Sequence, residues 1–371
     1  MIFSFDRNLM LNEISIAQEV ITLKNAMSIL SNILLDAGDD RLVIKATDEK
    51  VNFLTSIPVD VKEAGTTTVH CDKFFSILTG MDEGEIIFSL ETKANLTIAN
   101  VRHSSKKIKF KLKCWAQDKF PYFPDTKNLS FFEMPAPKIK NMFLHTSYAV
   151  STDESRHFIA GVFLTKKDDK LISVSTDGRR LAYESQTFYA AALNSPNVII
   201  PPKVLNIITK KIPDEGNVEL AMSEKMIFFR FANYEFSSLL IDGQFPNYQS
   251  VIPENQAFNL IAEKNLLADA IRRVGIMADK KSNKIFFNIA SGVLKISSPE
   301  TESGEAEIEI PCQYSGDEFI IALNLKYVDD AIKATKSEKI KLEFSGELKP
   351  VTLKPEPADD YFHIIMPMQR A

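Results

Sequence analysis

Residues 241–253 read IDGQFPNYQSVIP. Pro246 and Pro253 remove backbone donors and fix φ, so this stretch cannot lie inside a helix or a central strand. Its aromatics, Phe245 and Tyr248, are worth about 1.5–3 kcal/mol each when buried, which predicts a corner packed against a neighbouring element. A second proline-fixed corner, KFPYFP at 119–124, stands 125 residues earlier when Phe120 is matched to Phe245. Two packed corners at that separation indicate a repeated unit.

Outward from the corner the same order of elements recurs. Thr47-Asp48 returns 129 residues later as Thr176-Asp177, and Lys73 returns as Lys203 and Lys326 after 130 and 123 residues. Each of these lysines sits in a segment with helical apolar spacing: 71–80, with Asp72 as cap and Phe74, Phe75 and Leu78 inward; 203–212, opened by Pro201-Pro202; and 324–334. Each unit also has a helix ahead of these. The first is 6–21, with Asp6 as N-cap and Met10, Ile14, Ala17 and Ile21 on one face; the second is 140–150. The third starts at Glu263, with Leu266, Leu267, Ala270, Ile271 and Val274 inward and Arg272 and Arg273 as a basic flank. Strands are predicted between them, including 42–46, 50–57, 168–174, 285–289, 340–344 and 351–354, with hairpins over 85–99 and 217–231. The fold class is therefore α+β. Three copies of one unit, two helices packed on antiparallel sheet, are expected at 1–127, 128–253 and 254–371.

A chain of 371 residues, 45% apolar and 25% charged, is globular and too long for one ordinary core. Its net charge of −5 excludes nucleic-acid binding by overall basicity, so any DNA contact must be local. There is no run of about 18 apolar residues and no basic, then apolar, leader, so a cytoplasmic protein without a membrane partner is expected. The three cysteines, Cys71, Cys114 and Cys312, are odd in number and far apart, as reduced thiols would be.

Catalytic chemistry is not encoded in any recognisable pattern. The chain has no G-x-x-x-x-G-K-[ST] and no G-x-G-x-x-G, and its five histidines lack zinc-ligand spacing. Asp39/Asp40, Asp329/Asp330 and Asp359/Asp360 read as solvated turns or helix faces. No cofactor, metal site or catalytic residue is expected. TDGRRL at 176–181 reads either as a basic turn or as an anion or partner site.

Two strands carry alternating charge of opposite sign. Lys107, Lys109, Lys111 and Lys113 alternate with Ile108, Phe110 and Leu112, and Glu305, Glu307 and Glu309 alternate with Ala306, Ile308 and Ile310. They read either as two solvated sheet edges or as complementary edges from two subunits. Repeated units in series can curve into an arc, and two arcs with complementary ends close by two-fold symmetry.

Six motifs in order extend this reading: SILSNILL (28–35), DESRHFIAGV (153–162), STDGRRLA (175–182), DGQFPNYQSVIP (242–253), ALNLKYVDDAIKA (322–334) and IIMPM (364–368). With them the chain resembles the bacterial sliding clamps, the β subunits of DNA polymerase III, over essentially its whole length. The resemblance implies a non-catalytic processivity factor in DNA replication, a head-to-tail homodimeric ring threaded by duplex DNA. It also implies short linear peptides of DNA polymerase, clamp loader and repair proteins as partners. The alternative is a clamp-like paralogue or peptide-binding scaffold that does not encircle DNA.

By the same resemblance, Lys24, Arg156, His157 and Phe158 contact DNA, and Lys203, Lys210, Arg272 and Arg273 join them on charge alone. The implied peptide groove is lined by Ile159, Thr176, Gly178, Arg179, Arg180, Leu181, Pro246, Val251, Asn324, Tyr327, Leu348, Pro350, Ile364, Ile365, Met366, Pro367 and Met368, with Tyr248 as a structural anchor behind it. Aliphatic and methionine surfaces accept varied apolar anchors, and prolines keep such a pocket formed. The implied dimer contact sets Phe110 and Leu112, with Lys107, Lys109 and Lys111 beside them, against Ile276 and Met277 with Glu305 and Glu307. The chain departs from the family's pattern at His157-Phe158, where two aromatics are frequent, and at Ser250 and Gln369, where arginine is.

Overall fold

The structure is a computed structural model that describes residues 1–21, 28–93, 96–188, 196–302 and 304–370. The chain separates into two compact units, one formed by Met1–Pro137 with Lys203–Leu240 and the other by Lys138–Pro202 with Ile241–Ala371. The middle third of the sequence is therefore shared between them. Backbone ladders explain the division. Tyr234–Leu239 pairs with Val51–Pro58, and Arg180–Thr187 pairs with Tyr361–Ile365, so hydrogen bonds run across both expected boundaries.

In the first unit an antiparallel sheet of thirteen strands runs from the edge strand Phe132–Pro135 to Asp60–Glu63. Helices α1 (Arg7–Val20) and α2 (Cys71–Thr79) pack together in this unit. Asp6 caps α1 as expected, its carboxylate accepting from the Leu9 amide at 2.9 Å, and Met10, Ile14 and Ala17 are buried. Asp72 is not the cap of α2. His70 holds that position without a capping side chain, while Asp72 lies in the first turn and accepts from the Gln18 amide side chain at 2.8 Å. Phe75, expected inward, is only half-buried.

Helix α3 (Ala136–Thr146) begins four residues ahead of its predicted start and belongs mainly to the second unit. Helix α4 (Pro202–Ile208), in the first unit, is opened by Pro202 and is shorter than its apolar pattern suggests. Lys203 is not a free surface cation: its Nζ donates to the Val20 carbonyl at 2.5 Å and pairs with Asp48 at 2.6 Å. Two of the repeat markers thus meet, the lysine of one third answering the aspartate of another.

The second unit holds an eight-stranded and a four-stranded sheet, both antiparallel, with helices α5 (Lys264–Val274) and α6 (Leu325–Ala334). Leu267, Ala270, Ile271 and Val274 enter the core beside Val328, Ala331 and Ile332. Leu266, expected with them, is exposed. Beneath the paired strands Arg180–Thr187 and Tyr361–Ile365 lies a buried polar cluster. His145 Nδ1 stands 2.7 Å from Glu184 Oε2, the His145 ring stacks on Tyr361, and the hydroxyls of Tyr148 and Tyr361 meet the His363 ring.

Burial, aided by the charge of His145, pushes the His363 pKa well below the usual histidine value of 6.5. Its unfolded form binds a proton more readily, so its contribution to stability is complete above about 6.5 and is lost as pH falls below that value. We expect the unfolding free energy from urea titration to drop between about pH 7 and 5, by at most about 1.4 kcal/mol per pH unit for this group. His363→Asn should flatten that part of the profile; an unchanged slope in the variant would refute the assignment.

Candidate docking groove

The centre of the site is the turn between Lys170–Thr176 and Arg180–Thr187. Gly178 sits at φ +89°, a conformation that L side chains rarely adopt, and a Cβ there would stand 2.8 Å from Arg156 Nη1. Asp177 fixes the turn by accepting from the amides of Arg179 and Arg180 at 2.9 and 3.1 Å and from Arg180 Nε at 3.1 Å. Thr176 Oγ1 closes it, donating to the Arg180 carbonyl at 2.6 Å and accepting from the Gly178 amide at 3.0 Å.

The two adjacent arginines differ completely. Arg180 is buried and its donors are committed: Nη1 pairs with Asp330 at 2.6 Å and Nη2 donates to the Tyr148 carbonyl at 2.8 Å. Its guanidinium lies 4.5 Å from the Tyr327 ring centre, a cation–π contact. Arg179 points no donor at any acid among the described residues and is exposed. Burial, and then the negative charge of Asp177, raise the Tyr327 pKa, so its hydroxyl stays protonated beside these groups.

The 241–253 corner packs as predicted. Phe245 stacks on Phe163 with centroids 4.8 Å apart, and Tyr248 touches both Phe163 and Tyr183. A short 3-10 turn, Tyr248–Val251, keeps Tyr248 inward and leaves Val251 52% exposed. The opposite wall follows from the ladder in which Leu181 faces Ile364. Both belong to one apolar cluster with Ile159, Ile172 and Val174. Beyond the strand, the Met366 amide donates to the Arg179 carbonyl at 2.9 Å, which leaves the Met366 side chain 43% exposed.

These walls enclose an apolar cavity of about 390 Å³. Ile159, Thr176, Gly178, Arg179, Arg180, Leu181, Pro246, Val251, Ile364 and Met366 line it, all from the expected set. A second cavity of about 290 Å³, lined by Asn324, Tyr327, Pro367 and Met368, shares Arg179 and Met366 with the first. Three expected residues lie elsewhere. Ile365 alternates to the other face of its strand and is buried in the core of α5 and α6, while Leu348 and Pro350 line neither cavity. Arg156, Phe158, Asn247 and Tyr248 in the first cavity, and Gln369 in the second, were not anticipated as lining. The available signal was position: Phe158, Asn247 and Gln369 directly adjoin residues of the expected set, and Arg156 and Tyr248 lie within three residues of one.

The residues expected at DNA do not form one free cationic set. Lys24 lies outside the described residues. Arg156 pairs with Asp153 at 3.3 Å and donates to the Asp177 carbonyl at 2.7 Å, and Phe158 joins the groove wall. Lys203 is held as described above; Lys210 pairs with Glu19 at 2.7 Å and Arg272 with Asp269 at 3.1 Å. His157 and Arg273 are exposed without an ion pair among the described residues.

The charged strands are open edges. Among the described residues, Lys109–Trp115 pairs with Leu96–His103 on one side and meets Gly65–His70 on the other only through Cys114 and Trp115, which leaves Lys109 to Lys113 unpaired along that edge. Phe110 is 37% exposed and Leu112 half-buried, while Lys107, Lys109 and Lys111 are exposed. Glu307–Pro311 is the outer strand of the four-stranded sheet; Glu305 precedes it and Glu307 pairs with Lys295 at 3.1 Å. Ile276, just past α5, is 76% exposed, with Met277 half-buried beside it.

Helices and antiparallel sheet in recurring order, with a preformed apolar groove, define a clamp-type docking scaffold. Residues 1–124 match the N-terminal domain of the DNA polymerase III beta subunit, 133–247 its central domain and 249–369 its C-terminal domain. The chain is 41% identical over 369 residues to the beta sliding clamp of Treponema pallidum, covering 98% of each. It is 28% identical over 346 residues to that of Escherichia coli K12, covering 92% of this chain and 93% of the other. The crystal structure of a sliding clamp from Bartonella birtlesii bound to griselimycin superposes with a TM-score of 0.89 at 27% identity, each chain covered completely. The chain belongs to the DNA polymerase III beta subunit family, the beta sliding clamps, and has that family's three-domain α+β architecture. Its function is that of a DNA sliding clamp, a processivity factor without catalytic activity.

Proposed function

We propose that two copies of this chain close head to tail into a cytoplasmic ring around duplex DNA, and that the groove tethers polymerase, clamp loader and repair proteins by short linear peptides. The boundaries 1–127, 128–253 and 254–371 delimit the domains in this reading. The observation that carries the tethering is the pair of joined cavities, whose apolar walls are fixed by a ladder, a glycine turn and a proline corner before any peptide arrives. The two open edges, basic with an exposed Phe110 and acidic near an exposed Ile276, support the closure.

DNA contact in this reading is local and loose. His157, Lys210, Arg272 and Arg273 are exposed, and internal pairing of Lys210 and Arg272 weakens the pull of each on a phosphate. A sliding ring requires such sequence-blind, weakly held contacts, because tight counterion-releasing ones would slow it. No described helix is long and apolar enough to cross a membrane.

The decisive test is retention on nicked circular DNA after loading by the cognate ATPase. Linearising the circle should release the protein; retention on linear DNA would end the topological reading. In the groove, Leu181→Ala and Met366→Ala should each weaken binding of a fluorescent partner peptide by about tenfold, on the order of 1–3 kcal/mol, with the ring intact by sedimentation. Equal affinity in both variants would remove the groove from the account. Reversing Lys109 and Lys111 to glutamate should raise the dimer dissociation constant, more so at about 50 mM than at about 500 mM salt. A salt-independent result, or a wild type that sediments only as monomer at micromolar concentration, would instead favour a scaffold that does not encircle DNA.

A further inference from the structure

We propose that the buried histidine pair behind the groove is a proton-operated latch: protonation of His363 frees Tyr148, Tyr148 lets go of Arg180, and the 176–180 turn loses the strut that keeps the groove formed. The proposal rests on the peptide-groove reading and adds a regulatory element outside the lining. Position makes the link. His363 is buried on the face of its strand opposite Ile364, directly behind the groove wall, and stands across from Ala182 on one neighbouring strand and Leu353 on the other. The hydroxyls of Tyr148 and Tyr361 both meet its imidazole. Tyr148 lies in the 3-10 turn Ser147–Ala149 that follows α3, and its remaining contacts go to Arg180. Its carbonyl accepts from Nη2 at 2.8 Å, and its ring centre lies 5.4 Å from the guanidinium carbon. One residue thus touches the buried imidazole with its tip and the groove arginine with its ring and backbone. The same segment is tied to the groove turn a second time, the Ser175 hydroxyl donating to the Thr146 carbonyl.

The enclosure has no place for an added positive charge. The groups around His363 are Tyr361 on its own strand, Tyr148 on the 3-10 turn and His145 on α3, with Glu184 and Arg180 of the adjoining strand beyond them. Glu184 is the one carboxylate in this set, and it is already engaged: Oε2 lies 2.7 Å from His145 Nδ1, and Oε1 accepts from Gln186 Nε2 at 2.6 Å. His145 Nε2 is buried without a hydrogen-bond partner, so a proton placed there would also lack an acceptor. Burial holds the Tyr361 hydroxyl protonated, so it supplies no compensating negative charge.

Burial, and then the charge of His145, keep the His363 pKa well below its usual 6.5, so the closed form is neutral and only an opened form takes the proton. The closed form is therefore fully favoured above the usual value, and each pH unit below it favours opening by up to about tenfold. Opening takes the Tyr148 carbonyl and ring from Arg180. A buried guanidinium short of a partner is strongly disfavoured, so the turn it braces follows. Two amides report the change: Met366, bonded to the Arg179 carbonyl, and Arg180, bonded to the Asp177 carboxylate.

The test measures amide hydrogen exchange in the full-length protein, corrected for the intrinsic pH dependence of exchange, together with affinity for a labelled leucine–phenylalanine peptide that has no titratable group. From about pH 7 to about pH 5 the protection of the Arg180 and Met366 amides should fall by roughly tenfold or more, and peptide affinity by about twofold to tenfold. His363→Asn and, separately, Tyr148→Phe, which keeps the ring and the carbonyl, should each cut the fall in protection to below about threefold. The exposed His157, beside the groove residue Phe158, is present in both variants and cannot account for a difference from wild type. Protection or affinity that is constant with pH in wild type, or a full fall that persists in either variant, overturns the latch and leaves the groove standing. If His363→Asn does not fold, Tyr148→Phe decides alone. A peptide that fails to bind wild type at about pH 7 overturns the groove, and the control of docking with it.

Discussion

The antiparallel ladder between Arg180–Thr187 and Tyr361–Ile365 is what the candidate docking groove depends on. It puts Leu181 opposite Ile364, and the two-residue alternation of a strand then sends Ile364 to the groove and Ile365 to the core behind it. A one-residue slip would exchange them and place the wrong side chain on the floor, so burial on both faces holds the register. The ladder continues past the strand as the bond from the Met366 amide to the Arg179 carbonyl, which carries the methionine wall round to the glycine turn. The Leu181, Ile364 and Met366 wall is thus fixed by backbone pairing, the corner wall by the stacking of Phe245 and Tyr248, and soft methionine and aliphatic tips remain to adapt to different anchors.

Arg180 makes the turn rigid at a cost that explains why its charge is not available to ligands. A buried guanidinium is tolerated only when its donors are satisfied, and removing one partner of such a pair costs about 3–5 kcal/mol. Here Asp177, Asp330 and the Tyr148 carbonyl absorb it, with Tyr327 over its face. Arg179, one residue earlier, faces solvent without that network. The sequence Arg-Arg therefore divides into a strut and a free cation, and neighbouring positions in a turn acquire opposite uses.

Much of the fold was legible because repeated local rules point the same way. The Asp6 cap, the helical stripes, the proline corners and the charge-alternating strands all depend on residues close in sequence. What was not legible depends on partners distant in sequence. Lys203 reads as a polar helix residue until Asp48 and the Val20 carbonyl are found beside it. Asp72 is a residue type that caps helices, but the backbone enters α2 two residues earlier, at His70, and Gln18 claims the carboxylate. Leu348 and Pro350 follow from motif likeness alone, with no periodicity to aim them, and they miss the cavities. The division of the middle third between two compact units is likewise invisible to a repeat period, because a period records similarity of units and says nothing about which ladders cross between them.

The open edges bear on how such a chain avoids uncontrolled assembly. An exposed strand edge is a template for any other edge, and a hydrophobic one such as that around Phe110 is the more hazardous. Like-charged edges repel, so a lysine edge does not pair with its own copy, nor a glutamate edge with its own. Only the unlike pairing remains, which is heterologous by construction. Heterologous contacts give either a closed ring or an open filament, and charge alone cannot choose between them. The proposed ring is the closed outcome. Closure then satisfies both edges at once and leaves none exposed for growth.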